Sequence, residues 1–179
     1  MSLNGKILVV VLVVSSALAG MALIYTQNYA YYRSVRVDEP NRGHGTESDS
    51  EVAETLSPSL TVIRLTRLDN GLPEPVPVTG FSGIDASTSP LKFRGCFEVD
   101  QSIEALKRRY VLVEGATPLR PPSWFDCFDA KRLTESLADG GALAFLGERD
   151  IAPGVDRLVA VYPDGRAFSW HQFSGEGRQ

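Results

Sequence analysis

The hydrophobic positions of the chain form one continuous block, and alternating patterns follow it. The block, residues 7–25, contains no charged side chain and is mostly aliphatic. As a helix it measures about 28 Å, close to the roughly 30 Å thickness of a bilayer's hydrocarbon core. A segment that is apolar on every side is typical of a transmembrane helix rather than of a surface helix in a globular domain. The pattern therefore predicts a transmembrane anchor within residues 1–36.

A cleavable secretory signal is the alternative interpretation of this segment. Lys6 supplies a short basic start, and residues 17–19, Ala-Leu-Ala, precede Gly20 as at a signal-peptidase site. The apolar run continues beyond Gly20, however, and aromatic residues follow at helical spacing where a helix would leave the bilayer. These predicted membrane-interface residues are Tyr25, Tyr29 and Tyr32. Both interpretations export the rest of the chain, and we favour the uncleaved anchor.

Small residues lie on one side of the predicted anchor. They form small-x-x-x-small pairs, which let a second transmembrane helix approach closely. The predicted helix-packing residues are Ser15, Ser16, Ala19 and Gly20. Incidental small residues are the alternative, since they are frequent in transmembrane helices. We expect a lateral contact with an integral membrane protein complex as well as with the lipid bilayer.

Residues 37–58 are polar and show almost no aliphatic periodicity, and every acidic residue of the chain lies beyond Val37. This composition predicts a flexible acidic linker between the membrane and a folded domain. His44 lies in this linker between two glycines. We interpret it as a solvated side chain rather than a metal ligand.

Alternation of β-branched and polar residues begins near residue 60 and marks a folded domain, residues 59–174. The first strand stops at Asp69-Asn70-Gly71, a strong hairpin signal. Prolines 73, 75 and 77 stand at alternate positions after it, which suits an edge strand. Predicted strands cover residues 60–68, 76–81 and 91–99.

Two short helices follow in the pattern. Asp100 or Ser102 can cap a helix that runs through Tyr110, and Asp129 caps a second helix that ends before Gly140. Three β-prone runs then form a predicted antiparallel meander, over residues 142–146, 157–162 and 166–173. The expected fold is α+β, with a transmembrane helix, a linker, a compact antiparallel-sheet domain with two short helices, and a tail at residues 175–179.

Cys96 and Cys127 are the only cysteines of the chain. In an exported domain they are expected to form a disulfide, which closes a loop of about 32 residues. A thiol redox pair or a copper site is the alternative, but the spacing is not Cys-x-x-Cys.

The positive-inside count is nearly tied between Lys6 on one side and Arg33 with Arg36 on the other. The cysteines therefore decide the expected orientation, with the N-terminus cytoplasmic and the domain periplasmic.

Acidic residues near predicted turns are candidates for acid–base chemistry or calcium binding: Asp126, Asp129, Glu148, Asp150 and Asp156. Their spacing matches no calcium loop, and Asp129 is explained as a helix cap. His171 alternates with Phe168 and Trp170 along a strand, and we interpret it as an exposed or hydrogen-bonded strand residue rather than a general base. We therefore predict no catalytic residue, no cofactor and no metal site.

Charge excludes one class of partner. The chain has 22 acidic and 18 basic residues and a net charge of −4. A nucleic-acid-binding protein needs a basic face to contact phosphates. We therefore expect no nucleic acid among the partners.

Three segments resemble a family of uncharacterised single-pass membrane proteins of alphaproteobacteria: KFRGCF at residues 92–97, WFDCFD at residues 124–129, and the run from residue 145 to 172. The resemblance implies a bacterial inner-membrane setting and no defined activity.

The first functional hypothesis is a non-enzymatic accessory or assembly subunit of a larger inner-membrane complex, for example a respiratory one. The alternative is a tethered periplasmic ligand-binding or sensor domain. A deep apolar pocket with convergent polar groups would favour the alternative, and an apolar patch continuous with the anchor would favour the accessory subunit.

Overall fold

A computed structural model describes residues 3–37 and 59–175 of the chain. It divides into two units, Met1–Tyr32 and Arg33–Gln179. The predicted linker beyond Val37, including His44, and the predicted tail beyond Gly175 lie outside the described residues.

The N-terminal unit is helical. Helix α1 spans Leu3–Tyr25 and continues as one turn of π-helix, Thr26–Ala30. The described part of the chain has one helical segment long and apolar enough to cross a membrane, Gly5–Ala30. This finding agrees with the predicted single-pass anchor.

The second unit is built on a seven-stranded sheet in the order β2-β1-β5-β6-β9-β8-β7. Its pairs are antiparallel except for β1 with β2, which are parallel. The seven strands are β1 Arg33–Val37, β2 Ser59–Thr61, β5 Thr79–Asp85, β6 Arg94–Glu98, β7 Leu143–Ala152, β8 Val155–Val161 and β9 Arg166–Phe173. A separate hairpin consists of β3 Arg64–Thr66 and β4 Pro73–Pro75. The α+β prediction is confirmed.

Strand β1 is a correction to the predicted domain boundaries. Residues 33–36 were expected to belong to the anchor and Val37 to the linker, yet they form a strand that pairs with both β5 and β2. Val35 is buried in the domain core. The short alternation Val35-Arg36-Val37 is a strand pattern, but its pairing partners lie more than 20 residues away in the sequence. Only Tyr31 and Tyr32 therefore separate the helical segment from the sheet.

The hairpin around residues 69–71 forms as expected, but with a shorter return strand. Leu65 pairs with Glu74, so the return strand is β4 rather than the predicted residues 76–81. Pro73 and Pro75 both lie in β4, which is an edge strand as predicted. Thr66 Oγ1 also donates to the Gly147 carbonyl at 2.8 Å, which places β3 against β7. Strands β2 and β7 are the two edge strands of the sheet. Residues 59–66 contain β2 and also β3, which lies against β7, so this short segment connects the two edges. The sheet must therefore be curled.

The two short helices are capped as predicted. Helix α2, Ile103–Arg109, begins after Ser102, whose hydroxyl accepts the Ala105 amide. Helix α3, Ala130–Asp139, begins after Asp129, whose carboxylate accepts two backbone amides, and ends at Gly140 in the left-handed conformation. Strands β7, β8 and β9 form the predicted meander.

The sheet has a core face and a disulfide face. The core face, inside the curl, packs β3, α2 and one side of the sheet into a single cluster that includes Leu65, Phe97, Leu106, Phe145 and Val159. The disulfide face carries Cys96, Phe168 and Trp170 and is covered by residues of the connection between α2 and α3. Gly83 and Gly95 leave room on the core face for the Phe81 ring, which lies where their Cβ atoms would stand.

Candidate functional site

The predicted helix-packing residues share one side of α1. At 100° per residue, Ser15, Ser16, Ala19 and Gly20 span an arc of about 140°. Both serine hydroxyls donate to the Leu12 carbonyl, at 3.0 and 2.8 Å, so the helix itself satisfies them. A Cβ added at Gly20 would meet nothing within 4 Å. The face is smooth and open, which suits van der Waals packing against another helix.

The predicted tyrosine stripe is present only in part. Tyr25 and Tyr29 stack with ring centroids 5.7 Å apart, and both are exposed. Tyr32, however, follows the helical segment, which ends at Ala30, so it does not continue a helical stripe. The helical segment thus ends two residues before the stripe would reach its third tyrosine.

Cys96 and Cys127 form a disulfide with a Cα–Cα distance of 6.3 Å. Cys96 lies in β6 and Cys127 in the connection between α2 and α3, so the bond fixes this connection on the disulfide face. Phe128 packs edge-on against Phe168 and Trp170 beside it, at centroid distances of 5.9 and 6.4 Å. Both sulfurs are thus engaged in holding the fold.

Arg94 also holds the connection between α2 and α3 against the sheet. It is 3% exposed, and its guanidinium donates to the carbonyls of Leu91, Phe93 and Leu119. The guanidinium also lies 5.8 Å from the centre of the Phe128 ring. The sequence offered no sign of this role, because the carbonyls come from segments up to 25 residues away.

His171 is buried at one end of the core face. Its Nδ1 lies 2.6 Å from the Pro90 carbonyl, which makes Nδ1 the protonated nitrogen, and its Nε2 accepts the Arg157 Nε–H at 3.0 Å. The ring stacks on Phe93 at 4.6 Å. Burial and then the positive charge of Arg157 lower the pKa of His171 to about 3. His171 is therefore a neutral, hydrogen-bonded strand residue, which is one of the two predicted possibilities.

Glu148 extends the hydrogen bonds of His171 into a partly buried network. Its carboxylate bridges Arg64 at 3.1 Å and Arg157 at 3.0 Å. Burial lowers the pKa of Arg157, and burial raises the pKa of nearby Asp85. The network Arg64–Glu148–Arg157–His171 joins β3, β7, β8 and β9. The sequence contains no signal for this network because its members are up to 107 residues apart, although Glu148 is one of the candidate carboxylates.

The other candidate carboxylates serve local structure. Asp156 accepts the Asp150 amide and Asp150 accepts the Gly154 amide, which shapes the β7–β8 turn. Asp129 caps α3, as described above, and Asp126 is exposed. The five carboxylates are therefore not brought together. Among the residues that the structure describes, no group of three or more His, Cys, Asp or Glu side chains is arranged to hold a metal ion.

A second polar cluster fastens the β3–β4 hairpin to α2. Glu74 accepts the Tyr110 hydroxyl at 2.6 Å and pairs with Arg109 at 2.7 Å and Arg67 at 3.1 Å. The hydrogen bond from Tyr110 and the two arginines hold the pKa of Glu74 below its usual range. Burial and Glu74 raise the pKa of Tyr110 to about 12. Tyr110 therefore remains protonated and acts as a fixed donor to the hairpin.

Several surface depressions are lined by described residues. One, about 440 Å³, lies between Leu112 and α3 and includes Leu137 and Leu143. Another, about 540 Å³, lies beside the exposed Phe173. Neither of these two is lined by more than one charged side chain, whereas a third, about 510 Å³, is lined by Arg120, Asp126, Asp129 and Lys131.

Comparison with protein families gives one match. A model described as a family of unknown function, DUF6446, matches residues 63–179. The chain belongs to the DUF6446 family. The DUF6446 match covers β3 through β9, with both cysteines and the His171 network, and it begins after β1 and β2. Searches of curated proteins and of solved structures found no match.

Proposed function

We propose that this DUF6446 protein is a non-enzymatic accessory or assembly subunit of a larger bacterial inner-membrane complex. The observation that carries the proposal is the direct connection between the membrane-length helix and the sheet. Tyr31 and Tyr32 alone join the two, and β1 is an internal strand of the sheet. A chain built in this way can contact one partner both inside the bilayer, through α1, and outside it, through the domain.

The chemistry of the described residues supports a structural role. The two sulfurs are bonded to each other, and both nitrogens of His171 are hydrogen-bonded. Among the described residues, no buried side-chain nitrogen or oxygen lacks a hydrogen-bond partner. The two cysteines and His171 are thus bonded within the fold.

The disulfide supports the proposed location of the domain. Disulfides persist in oxidising compartments such as the bacterial periplasm and are rare in the cytosol. We therefore place the N-terminus in the cytoplasm, α1 in the inner membrane and the domain in the periplasm. Free thiols at Cys96 and Cys127 in protein from intact cells would contradict this orientation.

Affinity purification of the tagged full chain in mild detergent tests the proposal. We expect membrane proteins to co-purify in a fixed ratio with the wild-type chain. Ala19→Leu with Gly20→Leu adds bulk to the small-residue face and should release them, while the chain stays in the membrane. Ala17→Leu with Met21→Leu changes the opposite face of α1 and is the matched control.

The outcomes separate the two functional hypotheses. A wild-type chain that purifies alone contradicts the accessory subunit and favours the membrane-attached ligand-binding domain. If the partner still co-purifies with the variant Ala19→Leu with Gly20→Leu, the chain has a partner, but the periplasmic domain rather than the small-residue face of α1 binds it.

A further inference from the structure

The β3–β4 turn exposes two leucines on a rigid support. Leu68 is 55% and Leu72 is 63% exposed, and they flank the turn at residues 69–71. In the described part of the domain, only Leu112 and Phe173 are other large hydrophobic side chains with comparable exposure. The turn with its two exposed aliphatic side chains is here called the hairpin tip, residues 67–72.

Backbone and side-chain hydrogen bonds hold the hairpin tip in one conformation. The Arg67 amide donates to the Leu72 carbonyl at 3.0 Å, and the Gly71 amide donates to the Arg67 carbonyl at 3.1 Å. The Leu72 amide donates to Asn70 Oδ1 at 2.9 Å. The backbone that carries the leucines therefore has little conformational entropy left to lose on binding.

A basic run stands next to the hairpin tip. The Leu68 amide donates to the Arg109 carbonyl at 2.9 Å, which fixes the C-terminal end of α2 beside the turn. Residues 107–109, Lys-Arg-Arg, are the only three consecutive basic residues of the chain, and all three are exposed. These cations have long aliphatic stems that can lie along an interface while their charges reach polar headgroups.

The acidic groups around the hairpin tip do not cancel this charge. Arg67, Lys107, Arg108 and Arg109 are the four cations of this surface, and Asp69, Glu74 and Glu104 are its three carboxylates. One net positive charge remains, on a chain whose net charge is −4. Arg108 is the cation of this surface for which the structure shows no ion pair among the described residues.

We propose that the hairpin tip and the basic run dock on the surface of a bilayer that carries anionic headgroups. Leu68 and Leu72 enter the interface, and Lys107 and Arg108 contact lipid phosphates. Apolar side chains beside cations are the combination that binds anionic membrane surfaces. The anchor keeps the domain at the bilayer, so even a weak contact is populated because its effective concentration is high. This docking goes beyond the proposed subunit function, because it needs no protein partner.

Quenching of tryptophan fluorescence by lipids brominated in their acyl chains tests the docking. The full chain is placed alone in nanodiscs, and Leu72→Trp is compared with the wild type, which supplies the background of Trp124 and Trp170. Phe173→Trp is the matched control, because Phe173 is 67% exposed at another part of the domain. We expect Leu72→Trp to be quenched and Phe173→Trp to match the wild type.

The lipid headgroup supplies the second readout. Replacing part of the phosphatidylcholine by phosphatidylglycerol should raise the docking constant about fivefold, the effect of roughly one net positive charge at the surface. Lys107→Gln with Arg108→Gln in the Leu72→Trp background should remove this increase. Equal quenching of Leu72→Trp and Phe173→Trp overturns the proposal. Quenching of Leu72→Trp that does not change when phosphatidylglycerol is added also overturns it. Burial of the hairpin tip only in a co-purified protein complex also overturns it, by assigning the leucines to a protein partner.

Discussion

Removing the disulfide should cost the domain a large part of its stability. The perturbation is Cys96→Ala with Cys127→Ala, which leaves no free thiol. The two cysteines are 31 residues apart, and closing a loop of that length restricts the unfolded chain by about 3.7 kcal/mol at 25 °C on the chain-entropy model. Small domains are stable by about 5–15 kcal/mol, so this loss is a substantial fraction. For a unit of this size it corresponds to a fall in Tm of about 12 °C.

Trp170 makes the measurement specific to the domain. It is fully buried at the disulfide face, so its fluorescence reports unfolding of the sheet while α1 stays in a detergent micelle. Guanidinium titration of the full chain gives the free energy of unfolding, and reduced wild-type protein should behave like the double variant. A loss below about 1 kcal/mol would refute the reasoning, because it would mean that Arg94 and Phe128 hold the α2–α3 connection without the covalent bond.

The remaining predictions use the same titration. His171 has a folded-state pKa of about 3, below its ordinary 6.5, so the unfolded chain binds the proton first as the pH falls. Stability should therefore drop by about 1.4 kcal/mol per pH unit below pH 6.5 and on toward pH 3, and His171→Gln should remove this part of the slope between pH 6.5 and 5. Gly83→Ala places a Cβ 2.6 Å from the Phe81 ring and should destabilise by about 1–3 kcal/mol, whereas Gly175→Ala, which meets nothing within 4 Å, should be neutral. Asp129→Ala should cost about 1 kcal/mol by removing the cap of α3, and Asp129→Asn should retain most of that stability.

Elements with local signals were predicted well from the sequence. The caps at Ser102 and Asp129 depend on a side chain and amides two or three residues away, so the sequence contains the whole interaction. The meander also depends on short turns, since residues 163–165 bring β8 and β9 into register. In such cases the physical cause and the pattern occupy the same stretch of chain.

Elements that depend on distant partners were not predicted. Strand β1 has only five residues, and its structure depends on pairing with β5 and β2. Because it directly follows the apolar helix, the sequence pattern groups it with the anchor. His171 looked like an ordinary strand residue, because its neighbours in sequence do not show that Arg157 and Pro90 enclose it. The role of the small-residue face of α1 in binding a partner remains a prediction. An isolated helix shows which residues are exposed, but not what binds them.

The position of β1 also determines where the protein can be divided. Cleavage within residues 38–58 would leave β1 on the membrane fragment and strip the sheet of an internal strand. The backbone edges of β5 and β2 would then be uncovered, and unpaired strand edges invite aggregation. A water-soluble version of the domain must therefore start at or before Arg33. A protease that releases this domain intact from the membrane must cut on the N-terminal side of that residue.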